Sequence, residues 1–276
     1  MKIRKAAHSG RFYPATQQEI INLYKKILAA EEKNIDYALA KANPIGAIVP
    51  HAGFIYSGYQ AIHVFEILRN LPSKPDTFFI INPNHRGFGP PIAVDENEVW
   101  ETPFGNVNLD LDLMDSLGFP KSEAAHLYEH AAEVMLPFLK YVLGYDFKIV
   151  PITMSVQNLS NAKLIASAIF KSVKQSGKNV FFIASSDFSH FLSPERGKEM
   201  DDYVLKEIYK LNSKGVEAQV NSKNISVCGF GPILSLIEYA KLTLENPKLT
   251  LLKRGHSGEV HSSDEVVNYV SILFHY

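Results

Sequence analysis

The sequence predicts a layered α/β fold with a largely parallel sheet, built as one domain over residues 1–276. Short apolar runs with strand character alternate with stretches of helical periodicity, the pattern that lays helices over a parallel sheet. No internal repeat and no low-complexity linker interrupts that alternation. Hydrophobic residues make up 46% of the chain and charged residues 21%, enough apolar material for a sizeable core.

The first helix is signalled at Thr16, whose hydroxyl can cap free N–H groups while Glu19 reaches back in a capping box. Ile20, Leu23, Tyr24 and Ile27 then fall on one face at helical spacing. The charged, alanine-rich EEKNIDYALAKANP reads as a surface connection, and residues 46–49 as a short buried strand. Further strands are expected at 77–81, 147–152, 179–184 and 249–253, with VVNYVSILF as a terminal, antiparallel one. Helices are expected in SGYQAIHVFEILRNL, EHAAEVMLPFLKYVL, NLSNAKLIASAIFKSV, the region after Pro194, and GPILSLIEYAKLT. Between His85 and Asp110 the alternation is too brief for helices, so a hairpin insertion is expected.

The balance of 28 basic and 29 acidic residues gives a net charge of −1, which argues against nucleic acid or an anionic membrane as the main partner. No stretch of about 18 apolar residues occurs, and no apolar segment follows the charged N-terminus. A single cysteine rules out an internal disulfide framework and fits a reducing compartment, so a cytoplasmic protein is expected.

Several of the ten histidines follow a strand signal directly and sit in a turn. In open α/β sheets, ligands bind beyond the carboxyl ends of the strands, where neighbouring loops converge. His51 follows AIVP, His85 follows FFIINPN and His190 follows VFFIASSDFS. Taken alone, each is more often a surface or hydrogen-bonded residue than a ligand. Together, with glycines after His51 and turn-forming residues around His85, three loops can present three imidazoles to one point. Asp187 lies three residues before His190, a pairing suited to orienting an imidazole or to sharing work between ligand and base. Glu129, His130 and Glu133 cluster where a helix is expected to begin; a helix-cap role is as good an account of them as a site role. His63 reads as structural and His275 as incidental, while His8, His126, His256 and His261 stay open. No G-x-S-x-G elbow, phosphate loop or H-E-x-x-H helix is present.

The segments SGRFYP, VPHAGFIYSG, INPNHRG, YEHAAEVMLPFL, ASSDFSHF and VCGFGP resemble, in order and through almost the whole chain, those of the Memo family, named for a mediator of cell motility. The resemblance implies a three-layer α/β/α sandwich with a largely parallel or mixed sheet, similar to the class III extradiol ring-cleaving dioxygenases. It implies a metal held by His51, His85 and Cys228, with iron or copper favoured and zinc possible, and an acid/base position at His190 beside Asp187. A thiolate in place of the dioxygenases' carboxylate softens the site and alters its redox behaviour, so ring cleavage does not simply carry over. The expected function is a metal-dependent oxidoreductase on an unknown small molecule, alongside a radical-SAM partner protein. The alternative is a non-catalytic module taking a phosphopeptide or other anionic ligand, with Arg11 and Arg86 as donors. Metal-assisted hydrolysis has the least support. By composition alone Cys228 would be a small buried hydrophobe; the histidine loops and the resemblance make it a ligand.

Overall fold

The computed structural model describes residues 2–276. The first half contains β1 (Ile3–Arg4), α1 (Gln17–Glu31), β2 (Gly46–Val49), α2 (Phe54–Arg69), β3 (Thr77–Pro83), β4 (Ile92–Val94), β5 (Val99–Thr102), β6 (Gly105–Leu109), α3 (Leu111–Leu117), α4 (Glu123–His126) and α5 (Leu136–Leu143). The second contains β7 (Lys148–Met154), α6 (Leu159–Ser176), β8 (Val180–Ser185), β9 (His190–Leu192), α7 (Pro194–Tyr209), α8 (Ser213–Lys223), α9 (Phe230–Thr243), β10 (Lys248–His256) and β11 (Val266–His275). Among the described residues these strands form one mixed sheet in the order β1-β5-β6-β7-β3-β8-β2-β11-β10, with β4 added to β7 and β9 to β11.

The centre, β6-β7-β3-β8-β2, is parallel, and β11 and β10 close one side in antiparallel fashion. Strands buried on both faces need continuous apolar sequence, and β2, β3 and β8 have it. Helix α2 packs on β2, β10 and β11, whereas α9 packs on β2, β3 and β8. Two helices sharing β2 without packing on each other occupy its opposite faces, which makes the molecule the expected three-layer sandwich. Helices α1 and α5 join the α2 layer, and α3, α6 and α8 the α9 layer. One continuous apolar cluster, from Ile20 of α1 to Phe274 of β11, runs through both interfaces.

Thr16 caps α1 with the complete capping box, and Ile20, Tyr24 and Ile27 are buried as the spacing requires. Pro151 lies inside β7, a strand with neighbours on both sides, although proline cannot donate to a ladder. Its position explains the tolerance: β6 pairs only with Lys148 and Ile149 and β4 only with Ile152 to Met154, so the flank beside Pro151 is a gap.

Some expectations are corrected. The surface connection after α1 contains two 3-10 turns, Glu32–Asn34 and Tyr37–Lys41. The hairpin after His85, β5 and β6, is no separate insertion: it carries the main sheet outward to β1. The helix expected from Glu129 begins only at Leu136, after a turn and the 3-10 segment Glu133–Met135. There, Glu129 and Glu133 bond to distant partners instead of to their own helix, as described below. The region after Pro194 holds two helices, α7 and α8. His275 is more than incidental, since its Nε2 lies 2.9 Å from Thr250 Oγ1 across β10 and β11.

Candidate metal centre

Three neighbouring parallel strands, β3, β8 and β2, each hand a polar residue to the same end of the sheet. Val49 ends β2 two residues before His51, Pro83 ends β3 two before His85, and Ser185 ends β8 two before Asp187. Cys228 arrives from the other direction, two residues before α9. The start of α9 is tied to β8 by the Gly229 N–H, which donates to Ser186 Oγ at 3.0 Å. A Cβ at Gly229 would lie 2.2 Å from Ser185 O, so only glycine permits this approach. Gln157, after β7, clamps the same turn: its Nε2 donates to Cys228 O (2.8 Å) and its Oε1 accepts from Gly231 N (2.7 Å).

A ring nitrogen of His51, one of His85 and Cys228 Sγ lie within 4.8 Å of one another, and so do ligand atoms of Asp187, His190 and Cys228. A third such group joins His85, Glu129 and His130. The fold therefore brings seven of the sequence-selected residues together: His51, His85, Glu129, His130, Asp187, His190 and Cys228. Arg86 is exposed beside them, its Nε donating to Tyr128 O at 3.3 Å. Arg11 is exposed, with its backbone N–H on His8 O. Glu133 points elsewhere, into a buried pair with Arg4 at 2.7 Å.

The surroundings fix each imidazole tautomer. Ser185 donates its hydroxyl proton to Ala131 O (2.8 Å), so at 2.7 Å it can only accept from His51 Nδ1. That leaves the lone pair on His51 Nε2, 3.2 Å from Cys228 Sγ. His85 Nδ1 lies 2.9 Å from Glu129 Oε1, and the His85 backbone N–H donates to Glu129 Oε2 at 2.7 Å. A carboxylate cannot donate, so the proton is on Nδ1 and Nε2 is free. His190 Nδ1 faces the Ser226 carbonyl at 2.8 Å, which likewise frees Nε2. This is the outer-shell arrangement that prepares histidines to bind a metal.

Burial is the largest single influence on every group whose shift is resolved at the site. Burial, followed by repulsion from His130, His85 and His190, holds His51 well below its ordinary 6.5. Burial also lowers His130, to about 4. Glu129 falls to about 2: burial opposes its ionisation, but the His85 hydrogen bond and the charges of His85 and His130 outweigh it. Asp187 is pushed up to about 6 by burial, against the His51 and Ala52 N–H groups that donate to its Oδ1 at 2.7 and 3.3 Å. Burial and then the Asp187 carboxylate drive the Cys228 thiol well above its usual range. A thiol buried in this way ionises readily only when a cation arrives, and the Asp187 N–H, 3.2 Å from Sγ, stands ready to donate to the sulfur. Two imidazoles and a thiolate form a donor set suited to iron(II), copper(I) or zinc, and poorly suited to magnesium or calcium.

Ser185, Ser226, Gln157 and Arg4 were not legible as site residues. Arg4 is fully buried, stacked 4.2 Å from the Trp100 ring, and donates to His126 O, Glu129 O and Glu133. Glu133 also accepts from Ala7 N, His8 N and Tyr13 Oη, which fastens the SGRFYP segment to the loop carrying Glu129.

Comparison with known proteins agrees with this frame. Residues 4–273 match the family described as Memo-like protein. MEMO1 family proteins from Methanosarcina mazei and Pyrobaculum arsenaticum are each 38% identical to it, the first over 99% of both chains and the second over 100% of both. One from Methanococcoides burtonii is 37% identical over 98% of this chain and 99% of its own. The crystal structure of the uncharacterized protein JW3007 from Escherichia coli K12 shares the fold, with a TM-score of 0.59 and 12% identity over 84% of this chain and 99% of that one. No helix among the described residues is long and apolar enough to cross a membrane. The chain belongs to the Memo-like family.

Proposed function

We propose that this protein is a metal-dependent oxidoreductase in which His51, His85 and Cys228 hold iron or copper. The observation that carries the reading is the outward direction of all three donors: Ser185 and Glu129 occupy the Nδ1 positions of the two imidazoles, leaving Nε2 of each free beside the sulfur. A bound iron or copper ion would supply one-electron redox chemistry at this point.

The remaining residues have separable tasks. His190 keeps its Nδ1 proton on Ser226 O, so its free Nε2 can take a proton from a substrate and return it. Asp187 receives the His51 and Ala52 N–H groups, setting the main chain that carries His51. His85, partly exposed, marks the side on which a small substrate enters.

The test is metal analysis of protein purified without chelator or affinity-tag metal, followed by anaerobic reconstitution and oxygen-uptake assays on small reductants. One equivalent of iron or copper is expected in the wild type and none in the His51→Ala, His85→Ala double variant. Equal retention by both would overturn the site; full retention with no redox turnover on any reductant would leave a binding protein.

A further inference from the structure

Among the described residues, four that are not glycine hold a left-handed backbone: Asn43, Phe191, Leu211 and Asn224. Asparagine tolerates that conformation, and Leu211 packs its side chain against the apolar core. Phe191 has neither reason: its φ is 56°, yet its side chain is 70% exposed. The strain comes from a bulge. Across β9 and β11, Val267 faces His190 and the adjacent Val266 faces Leu192, so Phe191 is the extra residue with no partner in the ladder. A bulge whose extra residue is left-handed ordinarily places glycine there. Here a phenylalanine bears the conformational cost, and no burial of its ring offsets it.

The bulge sits beside the metal centre. Phe191 directly follows His190, and the two rings stand edge to face with centroids 5.8 Å apart. A ring nitrogen of His190 lies within 4.8 Å of Cys228 Sγ. Phe191 is not needed to hold that imidazole, because Ser226 holds it twice: its Oγ accepts the His190 N–H and its carbonyl faces Nδ1, both at 2.8 Å. Phe88, three residues beyond His85, and Tyr128, directly before Glu129, are exposed as well. Three of the loops that bring the polar groups of the site together thus carry an exposed apolar side chain beside them.

We propose that Phe191 is a specificity-determining residue of the metal centre, its ring packing on the apolar body of a substrate whose polar head reaches the metal. The proposal rests on the reading of His51, His85 and Cys228 as metal ligands. It names the substrate class: a small molecule that pairs one metal-binding group with a flat or bulky apolar portion.

The test uses isocyanides, one-point ligands of iron(II) and copper(I), which vary the apolar body behind a constant head. The metal-loaded full chain, kept anaerobic, is titrated with methyl and 2-naphthyl isocyanide by calorimetry. The naphthyl compound is expected to bind the wild type at least about tenfold more tightly. Phe191→Gly should reduce that ratio to about threefold or less, with methyl isocyanide affinity and metal content unchanged, and Phe191→Tyr should keep it. The metal-free protein gives a second readout: glycine relieves the left-handed strain, so the denaturation midpoint of Phe191→Gly should not fall. An equal ratio in wild type and Phe191→Gly, parallel loss of both isocyanides, or a lowered midpoint would overturn the proposal, the last two by making the ring part of the fold. Wild type that holds no metal sinks the metal reading and this inference with it, whereas metal-loaded protein with unchanged selectivity sinks this inference alone.

Discussion

Ser185 Oγ stands 2.7 Å from His51 Nδ1 while its own proton goes to Ala131 O, so one hydroxyl decides which nitrogen of His51 is open. Ser185→Ala removes that decision and leaves His51 Nδ1 and Ala131 O both without their partner. Metal affinity should fall about 10- to 100-fold, the usual cost of losing an outer-shell partner, with stability lowered by about 1–3 kcal/mol. Competitive metal titration of wild type and variant checks it; unchanged affinity would mean that the tautomer is set elsewhere.

Most residues of the candidate metal centre that the sequence singled out share one property. His51, His85 and Asp187 sit two residues beyond buried strands, and His190 follows β8 by five residues at the start of β9, so a local pattern and a general rule about sheet ends sufficed. Cys228 has no such local signal; the histidines and the family likeness singled it out. What stayed illegible was every interaction made across long sequence separation. Arg4 reaches Glu133 over 129 positions and His51 reaches Ser185 over 134, and neither spacing leaves a trace in periodicity. The same cause misplaced the helix at EHAAEV: its residues fit helical spacing, but Glu129 and Glu133 bond to His85 and Arg4, and the helix waits until Leu136.

Gly229 is the position where fold and site are most tightly joined. A methyl group there would stand 2.2 Å from Ser185 O and 2.6 Å from Ser186 Cβ, and a backbone carbonyl of a central strand cannot yield. Gly229→Ala should cost about 1–3 kcal/mol or more in chemical denaturation and push Cys228 away from His51 Nε2, so metal affinity falls with it. Retention of both stability and metal would show that the α9 turn has slack.

The Arg4–Glu133 pair is fully buried, so breaking it on one side strands a charge. Arg4→Met should destabilise by about 3–5 kcal/mol, read from denaturant midpoints. Glu133→Gln should destabilise as well, because an amide oxygen in the Oε1 position keeps the His8 N and Tyr13 Oη bonds while its NH2 group is turned toward the Ala7 N–H and the stranded Arg4 guanidinium. In the Arg4→Met, Glu133→Gln double variant the two losses should be less than additive; full additivity would mean that the pair does not act as a unit.

Acid sensitivity of the metal-free protein follows from its buried imidazoles. His51, His63, His126 and His130 all have folded values lowered from 6.5, with burial as the leading cause. Below about pH 6.5 the unfolded chain takes up protons that the folded chain refuses, so the stability present above that pH is lost as pH falls toward the folded values. Asp187 and Asp201, raised from 3.8 by burial, act in the opposite direction by favouring the folded state as pH falls, and they offset part of the loss. His126 isolates one contribution away from the metal centre: its Nε2 lies 3.2 Å from Ala93 O, while its buried Nδ1 has no partner among the described residues. His126→Gln can keep a donor toward Ala93 O and has no proton to gain. Denaturation midpoints measured from pH 7.5 to 5 should fall for the wild type and fall less steeply for the variant, by about one proton taken up on unfolding. Parallel pH profiles would place the acid sensitivity in the other imidazoles.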